Sequence, residues 1–370
     1  MDKVPDRIIK RLQEREREGS FRKLICPSGT DFFSNDYLGA AKIPHQSDMP
    51  SGSTGSRLIS GNSKFVELAE GKLAGFFGMD SALIFNSGYS ANIGLLSCVG
   101  QRGDTIIYDS LCHASIRDGA RLSAARTFSF AHNDLEDLTK KFAQAEGEIY
   151  VVVESIYSMD GDECQLEKIA AFCEKKEARL IVDEAHAGGI YGEYGDGMAS
   201  SLGLDKSVFA KVVTYGKAFG SHGALVLGPA GLREYLINFS RPFIYTTALP
   251  PVAIDRMLQI TEQVAGMTEE RKTLFDLIAY FKNNLPAGIA FKESNSPIQA
   301  LMIPGNENVR KLADALRKDG IMVKEILSPT VERDHERVRL SLHSFNTTAE
   351  IDNLLNSISK AWQKKSLLPA

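Results

Sequence analysis

RLIVDEAHAGG, residues 179–189, joins a short apolar run to a cluster of charged, polar and small residues. Leu180, Ile181 and Val182 show no polar alternation, which suits a strand covered on both faces, as in a parallel sheet flanked by helices. Runs of the same kind are SALIF at Ser81, TIIY at Thr105, IYVVV at Ile149, KVVTY at Lys211 and ALVL at Ala224, with helical segments intervening. Parallel neighbours need crossover connections, so the alternation predicts an α/β domain on a mostly parallel central sheet. Upstream, Ile8 to Glu18 predicts a charged helix and Pro44 to Gly61 a Pro-, Gly- and Ser-rich loop. Downstream, Ile254 to Asn284 predicts long helix, and IQALMIP, GIMVKEI and RVRLSL predict the strands of a smaller α+β unit. The expected organisation is an N-terminal segment over 1–45 that packs with the small domain, a large domain over 46–253 and a small domain over 254–370.

A chain of 370 residues, 43% apolar, can bury a large core and divide into two or three domains. Its 43 basic and 47 acidic residues are evenly mixed, which argues against general attraction to nucleic acid or an anionic membrane. Cys26, Cys98, Cys112, Cys164 and Cys173 are widely spaced and form no CxxC pair, against a disulfide framework or structural zinc. With no HExxH motif either, no metal is expected. The charged start, MDKVPDRIIKRLQEREREG, lacks the apolar stretch of a signal peptide, and no apolar run reaches the length of a membrane span. The expectation is a cytoplasmic protein.

In an open parallel sheet, ligands bind at the carboxyl ends of the strands. Here those ends carry NSGYSAN (86–92), DSLCHAS (109–115), ESIYSMDGD (154–162), DEAHAGG (183–189) and TYGKAFGSHG (214–223). Lys217, three residues past a buried strand, is placed to lose solvation and act as a neutral nucleophile, as a Schiff-base lysine must. Asp183 at an apolar strand end needs a cationic partner, which a protonated pyridine nitrogen supplies. His186 is placed to hydrogen-bond the oxygen on such a ring, and His113 to stack on its face. Ser87, Gly88 and Tyr89 precede a helix whose N-terminus favours phosphate, with Thr214 as a hydroxyl donor. Any one of these residues has an ordinary structural explanation; together they predict pyridoxal 5'-phosphate. The Gly-rich SGSTGSRLISG fits neither GxGxxG nor GxxxxGK[ST], and GYSAN is no nucleophile elbow because Asn92 replaces the second glycine.

The set DSLCHAS, ESIYSMDGD, DEAH and TYGKAFG, in this order, resembles the α-oxoamine synthases, from SNDYLG at Ser34 to RVRLSL near the end. The resemblance implies a fold-type I pyridoxal-phosphate transferase that condenses an amino acid with an acyl thioester and releases carbon dioxide. FAHNDL (130–135), IYTTALPP (244–251) and SPTV (328–331) are similar to the family member that joins L-alanine to pimeloyl-CoA or a pimeloyl carrier protein in biotin biosynthesis. A glycine C-acetyltransferase or another member is the alternative; a non-catalytic subunit of this fold would lack Lys217.

Residue by residue, the resemblance makes Lys217, Asp183, His186 and His113 the catalytic set. Ser87, Gly88, Tyr89, Glu154, Ser158 and Thr214 join them in holding the cofactor. It implies a homodimer with the site at the subunit interface, Thr246 or Thr247 reaching the partner's phosphate. Asn35, Thr330, Arg339 and, less closely, Arg22 match substrate positions, Arg339 as the fork for the amino-acid carboxylate. Departures from the family pattern are Val66 for a histidine, Glu332 for a proline, and HSFN (343–346) for an alanine-rich stretch ending in histidine.

Overall fold

The computed structural model of the chain describes residues 4–363. In the first half the elements run α1 (Asp6–Arg17), β1 (Thr30–Asp31), α2 (Lys64–Phe76), β2 (Ser81–Phe85), α3 (Gly88–Val99), β3 (Thr105–Asp109), α4 (Ala114–Leu122), β4 (Arg126–Phe130), α5 (Leu135–Phe142), β5 (Ile149–Glu154), α6 (Leu166–Lys176) and β6 (Arg179–Asp183). They continue α7 (Met198–Ser201), β7 (Ala210–Thr214), β8 (Ala224–Gly228), α8 (Ala230–Phe239), α9 (Arg241–Ile244), α10 (Pro251–Gly266), α11 (Thr268–Asn283), β9 (Ile298–Met302), α12 (Asn306–Lys318), β10 (Ile321–Met322), β11 (Lys324–Ile326), β12 (Arg337–Ser341) and α13 (Thr348–Gln363).

Contacts divide the chain into a large unit, Asn35–Ser158 with Glu163–Lys272, and a smaller one that takes the residues up to Ser34, Met159–Asp162 and those from Thr273 onward. These divisions fall after Ser34 and Lys272, whereas the sequence pattern placed them at 45 and 253. Two links draw the flanking segments into the large unit. Arg256 Nη2 on α10 donates to the Ala40 carbonyl at 2.9 Å, and α10 packs on α2.

The large unit holds a seven-stranded sheet in the order β2-β8-β7-β6-β5-β3-β4. Strands β7, β6, β5, β3 and β4 are parallel neighbours, and β8 runs antiparallel to both β7 and β2. Every apolar run singled out in this region is a strand of the sheet. Val151, Val152 and Val153 of β5 and Leu180, Ile181 and Val182 of β6 are buried, as strands covered on both faces require. Each contributes about 1.5–3 kcal/mol of burial free energy. Strand β4, RTFSF, escapes that pattern because it lies at the sheet edge and buries only Phe130.

Glu70 ties the β2 side of this unit together. Buried on α2, it accepts from Arg57 Nη1 at 2.6 Å, Arg233 Nη2 of α8 at 2.8 Å and the Ile84 N–H of β2 at 3.0 Å. In the smaller unit, the three-stranded antiparallel sheet β11-β12-β9 is covered by α12, and β1 pairs in parallel with β10.

Candidate active site

The polar strand ends of the large unit meet around a cavity of about 220 Å³. Its lining includes Ser87, Gly88, Tyr89, His113, Glu154, Ser158, Asp183, His186, Thr214 and Lys217, so ten residues singled out from sequence converge on it, and Asn35 joins them.

At one end, Ser87 caps α3, its Oγ accepting the Ser90 N–H at 3.2 Å. The first turn of a helix leaves backbone N–H groups without intrahelical acceptors, and here they belong to Gly88 and Tyr89. A Cβ on residue 88 would stand 2.3 Å from Thr214 Cγ2, so only glycine lets this turn approach the end of β7. Thr214 Oγ1 is buried with no hydrogen-bond partner, a deficit of about 1–3 kcal/mol that an incoming acceptor relieves. The Tyr89 hydroxyl donates to Asp118 Oδ2 at 2.6 Å, and Tyr89 belongs to the cavity lining.

At the adjoining ends of β5 and β6, Glu154 and Asp183 are in register. Asp183 is 5% exposed; its Oδ2 accepts from Asn92 Nδ2 at 2.7 Å and its Oδ1 from the Ala185 N–H at 2.9 Å. Glu154 accepts the backbone N–H groups of His113 and Ser158. Burial, and then the Asp183 charge, push the Glu154 carboxyl up to about 8. Two buried acids at neighbouring strand ends make a place where a cation is favoured.

His113 caps α4: its Nδ1 accepts the Ser115 N–H at 3.2 Å and lies 2.8 Å from Ser115 Oγ. Ser115 Oγ in turn accepts from Asn92 Nδ2 at 3.0 Å. A chain His113–Ser115–Asn92–Asp183 results. Burial lowers the His113 pKa against the opposing pull of Asp183, which favours a neutral ring on the cavity lining.

His186 is buried, and its Nδ1 lies 2.8 Å from the Tyr37 hydroxyl, which donates to Asn35 Oδ1 at 3.1 Å. Lys217 stands in the loop between β7 and β8, which is closed by Tyr215 N–H to the Gly223 carbonyl at 2.9 Å and Ser221 N–H to the Tyr215 carbonyl at 2.7 Å. Gly220 lets this loop turn: its φ is +53°, and a Cβ there would meet the Ala41 backbone N at 2.0 Å.

Asn92, Ser115, His222 and Tyr37 carry the site without having been singled out. Asn92 follows Gly88 by one helical turn, which puts both on one face of α3, and Ser115 meets the capping His113 through the first turn of α4. The partners of Tyr37 and the place of His222 on the lining had no sequence signal. Thr246 and Thr247 lie outside this cavity, where Asn86 Nδ2 donates to Thr246 Oγ1 at 3.3 Å and to the Thr247 carbonyl at 3.0 Å.

Arg22, Thr330 and Arg339 belong to the smaller unit. Arg22 Nη2 donates to Thr330 Oγ1 at 3.1 Å, and Arg339 is a buried residue of β12. Of the departures, Val66 is a buried apolar residue of α2 and Glu332 is exposed. Asn346 braces the smaller unit, its Oδ1 accepting the His343 N–H at 2.9 Å and its Nδ2 donating to the Asp31 carbonyl at 3.2 Å. Among the described residues, no group of three His, Cys, Asp or Glu could hold a metal, and no helix is long and apolar enough to cross a membrane.

Residues 28–358 match the family model for aminotransferase class I and II, and the chain belongs to that family. It has the fold-type I architecture. Among its relatives, the 8-amino-7-oxononanoate synthase of Emericella nidulans is 37% identical, over 97% of this chain and 96% of that one. The protein of the same name from Pseudomonas paraeruginosa is 36% identical, over 97% and 95%. Among solved structures, the 8-amino-7-oxononanoate synthase of Francisella tularensis superposes with a TM-score of 0.77 at 29% identity, covering 92% of this chain and 99% of that one. Sphingomonas wittichii serine palmitoyltransferase superposes with a TM-score of 0.88 at 26% identity, covering 100% and 99%.

Proposed function

We propose that this protein is a pyridoxal-phosphate acyltransferase that condenses L-alanine with a pimeloyl thioester, giving 8-amino-7-oxononanoate, carbon dioxide and free thiol in biotin biosynthesis. The observation that carries the cofactor assignment is the cavity itself. It sets the buried Glu154–Asp183 pair, Lys217, and the unpartnered Thr214 hydroxyl beside the α3 N-terminus on one lining. The residues fit the group. Gly88, Tyr89 and Thr214 would hold its phosphate, Asp183 its ring nitrogen, His186 and Ser158 its ring oxygen, and Lys217 its carbonyl carbon. When bound, pyridoxal phosphate supplies an electron sink for charge developed at an amino-acid Cα.

The chain's own groups do the rest. Asp183 keeps a proton on the ring nitrogen, because a buried carboxylate held by Asn92 and a backbone N–H favours a cation beside it. His113, fixed by Ser115, presents a neutral ring face and restricts motion of what lies against it. Lys217, once its amine is free, takes the proton from Cα and later returns one. Arg339 grips the substrate carboxylate and Asn35 contacts the amino acid. The acyl thioester then loses its thiol to the new carbon-carbon bond, and carbon dioxide leaves from the substrate carboxylate.

The active form is a homodimer in which Thr246 or Thr247 meets the partner's phosphate. Leu58, Ile59, Leu68, Leu122 and Tyr245, all more than half exposed on the large unit, give it apolar surface to cover. Light scattering of the purified protein should return twice the chain mass, and a monomer that remains fully active overturns this part.

The deciding assay is thiol release from pimeloyl-CoA, from a pimeloyl carrier protein and from a long-chain acyl-CoA, each with alanine, glycine and serine. Release with alanine alone supports the reading, whereas release with serine and a long-chain thioester moves the protein toward the serine palmitoyltransferases. Borohydride treatment should fix the cofactor on the peptide bearing Lys217; Lys217→Ala should abolish that adduct and lower turnover by at least about a hundredfold.

A further inference from the structure

The Tyr37 hydroxyl has one hydrogen, and it is committed to Asn35 Oδ1 at 3.1 Å. Its 2.8 Å approach to His186 Nδ1 therefore has the histidine as donor, Nδ1–H to the phenol oxygen. Tyr37 is fully buried and His186 nearly so, which fixes ring and phenol in place, and both Asn35 and His186 line the cavity. In a neutral imidazole, a proton on Nδ1 leaves Nε2 as the acceptor.

We propose that Tyr37 is a positioning residue: through the chain Asn35–Tyr37–His186 it holds His186 in the Nδ1–H tautomer, so that Nε2 alone exchanges a proton with whatever the ring meets in the cavity. On the reading above, that group is the ring oxygen of the cofactor and Asn35 faces the amino acid, and the inference rests on that reading for these two identities only. Nδ1–H is kept in both charge states. His186 then passes from acceptor to donor at Nε2 without turning over or exchanging tautomers. Asn35, at the other end of the chain, links the amino-acid side of the cavity to that setting.

The test is nuclear magnetic resonance of the full-length protein with 15N-labelled histidine, with and without bound pyridoxal phosphate. The His186 signals are assigned by their loss in His186→Gln. In the cofactor-free protein, Nδ1 is expected at the protonated and Nε2 at the unprotonated position. In Tyr37→Phe that preference is lost while the other histidine signals stay in place, which shows that the variant folds. With cofactor and substrates, Tyr37→Phe is expected to lower kcat about three- to tenfold, the worth of one hydrogen bond, with KM for the amino acid changed less than about twofold. An Nε2–H tautomer in the parent protein overturns the proposal, as does a Tyr37→Phe spectrum with the His186 pattern intact. A protein that shows the tautomer effect yet releases no thiol from any thioester removes the proposed function and leaves this inference standing.

Discussion

At the residue scale, Glu154 has the clearest pH signature. Its carboxyl titrates near 8 in the folded chain because burial and Asp183 oppose its charge, well above the ordinary carboxylate range. A folded-state pKa above the unfolded one gives a contribution present in full below the ordinary carboxylate pKa and lost as pH rises toward 8. Glu154→Gln in the cofactor-free protein should therefore gain stability relative to the parent as pH climbs through that window, read from paired denaturant melts. Equal curves at both ends of the window would contradict the assignment. Asp183→Asn should retain the fold and lose alanine Cα hydrogen exchange by at least about a hundredfold, followed as deuterium uptake by proton NMR. Lys217, Asp183, His113 and His186 were legible in the sequence because reactive side chains stand out after apolar strands. Tyr37 was not, since an internal tyrosine acquires meaning only from partners far along the chain.

At the element scale, α3 and β7 meet closely at the site. Gly88→Ala would drive a methyl carbon against Thr214 Cγ2, an overpacking worth about 1–3 kcal/mol. The same change should weaken pyridoxal-phosphate binding more than binding of phosphate-free pyridoxal, measured by equilibrium dialysis; equal losses for the two would separate Gly88 from the phosphate. The apolar runs made β2, β3 and β5 to β8 readable from sequence, because strands buried on both faces are uninterrupted by polar residues. Strand β4 was not, since Arg126, Thr127 and Ser129 deny it an uninterrupted apolar run, and its hydrogen bonding to β3 places it at the sheet edge. The predicted domain edge at 253 followed the helical pattern, which does not record that α10 lies on α2.

At the scale of the whole molecule, stability of the large unit depends on a buried acid that several elements share. Removing Glu70 leaves Arg57 without its carboxylate, Arg233 with only the exposed Glu234, and the Ile84 N–H without its acceptor. Glu70→Ala should cost about 3–5 kcal/mol, seen as a lower denaturation midpoint with the slope unchanged. A change under about 1 kcal/mol, the contribution of an exposed ion pair, would show that the cluster has little energetic weight.

The reversed strand β8 also sets an order of events during synthesis. Strand β2 lies at the sheet edge and bonds only to β8, so residues 81–85 must wait for residues 224–228 to emerge. At about 5–20 residues per second, the ribosome leaves SALIF without its strand partner for several seconds or more. For most of that interval the Ser87 turn has no Thr214 against it. The turn proposed to hold the phosphate therefore comes into being after most of the sheet's strands have been made, and a nascent chain cut short before Ala224 should neither retain pyridoxal phosphate nor stay free of chaperones.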